Sequence, residues 1–280
     1  MLDLLNPGFM QKALLAGMLI SASTSLIGVY LILRKLSMLG SGLAHASFGG
    51  VAIGFLTGLN PFLTALIFAG VSSLGINKLV EEAKTYGDSA IAVILSLGMA
   101  TAVLIIGYVD GFGASLFSYL FGSILSISQQ DLMVMTMVFM AISGFIYKYY
   151  SQLMMTTFNH EFAKVQGIRT KKIEAAFTVL VALSVVVSIR AVGILLVTSL
   201  LVIPGLAALQ ISASFKSTLL NSVVISEVSM IAGIYLSYLL DLPPAGVIVT
   251  LMMVALAGAI IYTKIKTQNN TLLVKNFSFN

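Results

Sequence analysis

No cysteine occurs anywhere in the chain. Disulfides and thiolate metal centres are therefore excluded, and the redox compartment leaves no mark. Charge is nearly as scarce. Only 9% of residues are charged, where an ordinary soluble domain carries about a quarter. So few charges cannot cover a water-facing surface on 280 residues, and lipid must be the main solvent. Histidine appears twice, at His45 and His160. There is no H-E-x-x-H, and two histidines do not build a convincing Ser/His/Asp set, so hydrolytic chemistry is not expected. The G-x-x-x-x-G-K-[ST] phosphate loop is also missing, which excludes ATP binding by that route. The chain is not expected to be an enzyme. The N-terminal MLDLLNPGFMQKALLAG lacks a basic region leading into an apolar core and a cleavage site. The expectation is that no signal peptide is removed and the first helix stays as an anchor.

What is abundant is apolar: 59% of residues, with a mean hydropathy of +1.05. Apolar stretches fall at about 9–33, 40–57, 62–79, 89–108, 131–147, 173–189, 192–210, 218–240 and 244–263. Each is near the length of about 20 residues that a helix needs to cross a bilayer. Only Arg190 and Ala191 separate the sixth from the seventh, so one of that pair is expected to be broken or re-entrant. The expected fold is all-α, a polytopic membrane protein of eight or nine transmembrane helices forming one domain over 1–280. The stretch GASLFSYLFGSILSIS, 113–128, is interrupted by glycines and reads as an interfacial helix. With nine crossings and the N-terminus outside, all of the fifteen basic residues except Lys12 and Arg190 lie on one side. That bias fits the positive-inside rule, with a cytoplasmic C-terminus in the cell membrane. The net charge of +5 then needs no nucleic acid, since cytoplasmic loops facing anionic lipid explain it. The 24 glycines, with many alanines and serines, suit closely packed helices.

Three polar features interrupt the apolar background. His45 stands four residues after Ser41 within MLGSGLAHASFGG, so the two side chains share a helix face. A neutral imidazole is a good ligand for borderline cations such as zinc. An imidazole hydrogen-bonded to neighbouring backbone is the equally weighted alternative. Glu227 lies inside an apolar span, where a carboxylate costs a few kcal/mol and must face the bundle or a wet cavity. It reads as a second metal ligand or as a packing contact. The segment TTFNHEFAKVQGIRTKK, 156–172, is long for a loop and places Phe158, Phe162 and Val165 at helical spacing. It reads as a solvated amphipathic loop or as a docking helix, and His160 within it lies on the wrong side to join His45.

Six motifs in order carry a resemblance that covers nearly the whole chain. They are RKLSMLGSGLAHASFGGVAIG, YGDSAIAVILSLG, LFSYLFGSILSIS, FNHEFAKVQGI, VGILLVTSLLVIPGLAA and LSYLLDLPPAGVIV. With them the chain resembles permeases of the ABC-3 family, the membrane subunits of ABC importers for zinc, manganese or iron. The resemblance implies a homodimer, two cytoplasmic ABC ATPases that use the ATP, and an extracytoplasmic metal-binding protein. It implies no tightly bound cofactor, only a transported divalent metal. The family's Gly-Asp-x-x-x-His motif falls here on Ser41 and His45, with serine replacing the aspartate. The implied transient metal site is His45 with Ser41, and Glu227 as a further candidate. The implied ATPase coupling segment, about 150–172, rests on Glu161, Phe162, Ala163, Val165 and Gly167, with Asn159 where the family often has aspartate. The wording GLAHASFGG leans to zinc over manganese or iron. A self-sufficient secondary transporter or channel, with Glu227 as an ion relay, is the rival of a different kind.

Overall fold

Nine helices occur among the described residues, which in this computed structural model are 8–82, 86–108, 122 and 127–277. They are α1 (Gly8–Leu33), α2 (Leu39–Thr57), α3 (Pro61–Glu82), α4 (Gly87–Tyr108), α5 (Gln129–Phe158), α6 (His160–Val165), α7 (Thr170–Ile211), α8 (Phe215–Leu240) and α9 (Pro244–Phe277). No strand is present among these residues. Eight of the helices are long and apolar enough to cross a membrane, all but the short α6. The interfacial helix expected over 113–128 lies almost wholly outside the described residues.

The eight helices make nine passes, because α7 folds back on itself. Its 42 residues would stretch about 63 Å if straight, twice a bilayer core. Gly193 breaks it with φ 77° and ψ 166°, a conformation essentially reserved for glycine. A straight helix would put Phe177 and Gly205 about 42 Å apart. Instead Tyr30 packs edge-on against Phe177 at 5.6 Å, while Gly205 rests on the neighbouring Val29 and Ile32. The two arms, 170–192 and 194–211, are therefore antiparallel. The sixth and seventh apolar stretches are the two antiparallel arms of one hairpin, joined at one glycine.

This hairpin is the hub of the bundle. It touches α1, α2, α3, α5, α6, α8 and α9, and most of its first arm is buried. Close approach elsewhere uses small residues, as expected where no hydrophobic force drives helices together in lipid. Gly98 of α4 sits on the backbone of Ala46, and Gly49 of α2 sits on that of Gly98. Between α1 and α8, Ser222 Oγ donates to the Ser25 carbonyl and Ser226 Oγ donates to the Ser21 carbonyl, each at 3.3 Å. Serines four apart on both helices thus form a polar zipper in place of water.

The two ends of the bundle differ. One holds Arg190, which pairs with Asp131 at 2.7 Å and lies over Phe62. Asp131 also closes a capping box with Ser128 at the start of α5. The other end holds Arg34, Glu174, His160 and the aromatic cluster of Tyr30, Tyr150, Phe158, Phe177 and Phe215. The fifth span was expected to stop near 147, but α5 runs on to Phe158. Hydropathy falls at Lys148, whereas helical bonding continues past a kink at Tyr149 (φ −107°, ψ 19°) and carries the helix out of the apolar layer.

Candidate functional site

The packing of α2 decides what His45 can meet. Gly42 and Gly49 face α4, Gly50 and Gly54 face α3, and Gly40 faces Leu201 of α7. At 3.6 residues per turn, Ser41 and His45 share a side between these contacts with the buried Phe48 and Ala52, and both are half-buried themselves. The imidazole is anchored locally: Nδ1 lies 2.8 Å from the Ser41 carbonyl oxygen, which can only accept. Nδ1 therefore carries the proton, and in the neutral ring Nε2 keeps the lone pair that a cation could use. Metal-binding histidines are held in this way, with one nitrogen tied to a carbonyl and the other offered to the ion. Ser41 contributes its carbonyl to this arrangement, so the residue acts first by orienting the ring.

Glu227 stands apart. Its Oε1 accepts from Ser21 Oγ at 2.9 Å, extending the zipper between α1 and α8. α2 packs on α3, α4 and α7, and α8 packs on α1, α7 and α9, so the α7 hairpin lies between His45 and Glu227. No cluster of three His, Asp or Glu side chains able to hold an ion occurs among the described residues. Within one subunit, His45 and Glu227 are two separate polar points.

The Arg34 end is built around a short helix. Asn159 leaves the helical conformation (φ −150°, ψ 96°), which stops α5 and caps α6. Its Oδ1 accepts from the Phe162 N–H at 3.0 Å, a role asparagine fills as well as aspartate. The expected helical run from Phe158 through Val165 is therefore split. Phe158 ends α5 and packs on Phe215, while Phe162 and Val165 belong to α6. Ala163 is fully buried and seats α6 on the bundle. Phe162 is 48% and Val165 85% exposed, with Glu161 exposed beside them. Glu161 takes a hydrogen bond from Lys164 at 2.9 Å, which holds its carboxyl below the ordinary range. Gly167 adopts φ 76° and turns the chain back towards α7. An apolar knob on a short capped helix, outside the spans, is a surface built for contact.

Sequence reasoning passed over the residues beneath this knob. Arg34 counted only as a positive charge after the first span, yet its side chain is 8% exposed. Its Nε donates to Thr157 Oγ1 at 3.0 Å, Nη1 lies 3.9 Å from Glu174 Oε1, and the guanidinium covers the Phe177 ring at 5.1 Å. Burial lowers its pKa from the ordinary value, and the Glu174 carboxylate opposes the shift. The same Glu174 oxygen receives His160 Nδ1 at 3.1 Å. An R-K pair after an apolar run looks like any span exit, so nothing in the pattern marked Arg34 as buried.

Comparison with known proteins places the chain among membrane transport proteins. The chain is 29% identical to the manganese transport system membrane protein MntC of Halalkalibacterium halodurans, over 93% of this chain and 89% of that one. It is 30% identical to the high-affinity zinc uptake system membrane protein ZnuB of Haemophilus influenzae, over 82% and 88%. Among solved structures, PsaBC from Streptococcus pneumoniae in complex with Fab superposes with a TM-score of 0.82 at 26% identity, covering 95% of this chain and 98% of that chain. The profile of the ABC 3 transport family matches residues 6–263, nearly everything from the first span to the last, and the chain belongs to that family.

Proposed function

We propose that this chain is the membrane permease subunit of an ATP-driven importer for divalent metal ions, with zinc as the favoured cargo. The observation that carries the reading is the His45 imidazole, pinned through Nδ1 to the Ser41 carbonyl inside an apolar span, with both residues only half-buried. A second copy facing these residues would close a pathway between the two. The ion would meet Nε2 of His45 and the hydroxyl of Ser41, while Glu227 offers a carboxylate elsewhere in the bundle. A site with so few ligands binds weakly, which transport requires, since a tight site would trap its ion. Imidazole without a carboxylate favours zinc over manganese, which is the weakest binder of the divalent series and prefers oxygen ligands.

Energy would come from a separate ABC ATPase, because this sequence has no phosphate loop. Glu161, Phe162 and Val165 on α6 form the surface on which that ATPase would dock, with Ala163 and Gly167 setting its seat and its exit. The basic end of the bundle would then be cytoplasmic, as the charge bias requires. The ion would be delivered at the Arg190 end by an extracytoplasmic metal-binding protein. Reconstitution of the permease with its ATPase and metal-binding protein in liposomes tests this. Zinc should stimulate ATP hydrolysis and uptake more than manganese or ferrous iron, and His45→Ala should abolish uptake while the dimer still assembles. A complex whose hydrolysis and uptake ignore all three metals would refute the reading.

A further inference from the structure

We infer that Arg34 is a positioning residue, a clamp that carries movement of α6 into the turn leading to Ser41 and His45. The inference rests on the reading of α6 as the ATPase contact. Arg34 stands between the segments that flank that helix: it bonds Thr157, two residues before Asn159 caps it, and lies 3.9 Å from Glu174, in the first turns of the following helix. One buried guanidinium therefore spans the two strands that enter and leave α6.

On its other side Arg34 is bonded into the α1–α2 turn. Its N–H donates to the Tyr30 carbonyl, and Lys35 adopts φ 59°. The Lys35 N–H donates to Ile32 and the Leu36 N–H to Leu31, a Schellman closure made without glycine. The Leu39 N–H then donates to Leu36, and the Gly42 N–H to Met38. These turn bonds run from the clamp to the first turn of α2, where Ser41 orients His45. Leu39 is fully buried and Gly40 abuts Leu201, so the turn cannot move without moving α2.

The clamp also has two arrangements. Glu174 Oε1 is held by His160 at 3.1 Å, and Arg34 Nη1 waits at 3.9 Å, beyond hydrogen-bond reach. Nη2 of Arg34 is buried with no hydrogen-bond partner among the described residues. His160 is the first residue of α6. When α6 shifts, His160 leaves Glu174 and Arg34 closes on the freed carboxylate, drawing the α1–α2 turn with it. A discrete exchange of partners at one oxygen is the kind of two-state element that coupling between distant sites requires.

The test uses the assembled complex in liposomes with zinc as the cargo, in a chain that has no native thiol. Spin labels are placed at Gln166→Cys beside α6 and at Met38→Cys before α2, both exposed. ATP binding to a hydrolysis-deficient partner should change both spectra in the parent chain. In Arg34→Lys the charge is kept but the fork that reaches Thr157 and Glu174 together is lost. In Thr157→Val the shape is kept and the acceptor is lost. In both variants only the label at 166 should respond, and zinc taken up per ATP should fall about tenfold in the otherwise unlabelled, active complex. Thr157→Val carries the test if Arg34→Lys fails to assemble. A label at 38 that responds in both variants as in the parent would overturn the clamp, as would one that stays silent in the parent while 166 responds. Silence at 166 in the parent would remove the docking reading, and the clamp with it.

Discussion

Replacing Ser41 by aspartate should convert a weak ion site into a measurable one. The substitution leaves the backbone carbonyl of residue 41 in place, so the 2.8 Å contact that orients the His45 ring is kept. The new carboxylate stands one helical turn from the imidazole on the same side of α2. Two unit charges about 4 Å apart interact by about 4 kcal/mol at an effective dielectric of about 20, and a divalent ion doubles this to about 8 kcal/mol. Against that stands the cost of a carboxylate inside a span, about 3 kcal/mol, and the loss of water from the ion. A net gain of about 1.4–3 kcal/mol survives, which is about ten- to a hundredfold in affinity. Calorimetric titration of zinc into the purified permease dimer reads this directly. Wild type should bind weakly, Ser41→Asp about ten- to a hundredfold more tightly, and Ser41→Asp with His45→Ala should lose most of the gain. Equal zinc affinity in wild type, Ser41→Asp and His45→Ala would show that this stretch is packing and would refute the reading of His45 as an ion ligand.

Other outcomes follow from particular contacts. Phe162→Ala should leave the dimer intact but weaken ATPase retention in a pull-down, because the exposed ring is the largest apolar side chain that α6 presents; undiminished retention would remove the docking role. Gly193→Ala should destabilise the permease by about 1–3 kcal/mol, since alanine does not tolerate φ 77° with ψ 166°; an unchanged thermal midpoint in detergent would mean that the hairpin turn is not where it is placed here. A thiol introduced at Leu59 should react with an impermeant reagent in intact cells and one at Gln166 only after permeabilisation; the reverse pattern would invert the topology.

The class of fold was readable because lipid imposes a one-dimensional rule. A chain so poor in charge must cross the bilayer as helices, and each span announces itself by length and hydropathy. The same rule hid the hairpin. Arg190 and Ala191 signalled an interruption between the sixth and seventh stretches, but a break and a reversal look alike in hydropathy. Only Tyr30 on Phe177 beside Val29 on Gly205 distinguishes them. The end of the fifth span was misplaced for a related reason, since hydropathy reports the membrane and hydrogen bonding reports the helix.

The site was legible where a single residue type is unusual for its surroundings. A histidine and a glutamate in apolar spans attract attention by cost alone. What could not be read was which of them share a space. His45 and Glu227 are separated by α7, while Ser41 acts through a backbone atom that every residue possesses. Arg34 shows the complementary failure. Its charge is ordinary for a span exit, and its importance lies in burial and in the two partners it reaches, Thr157 and Glu174, both more than a hundred residues away in the chain. Those partners flank α6, and α6 exists as a separate element because Asn159 turns its side chain to the Phe162 N–H. A one-residue cap thus creates the short helix, and a buried cation at the exit of the first span bonds Thr157 on one flank and faces Glu174 at 3.9 Å on the other. The consequence we propose is mechanical: force applied to Phe162 reaches the α1–α2 turn through the side chain of Arg34 as well as through the chain. On that proposal, the link between an ATPase docked on α6 and the turn before His45 is sought in Arg34 as much as in α6.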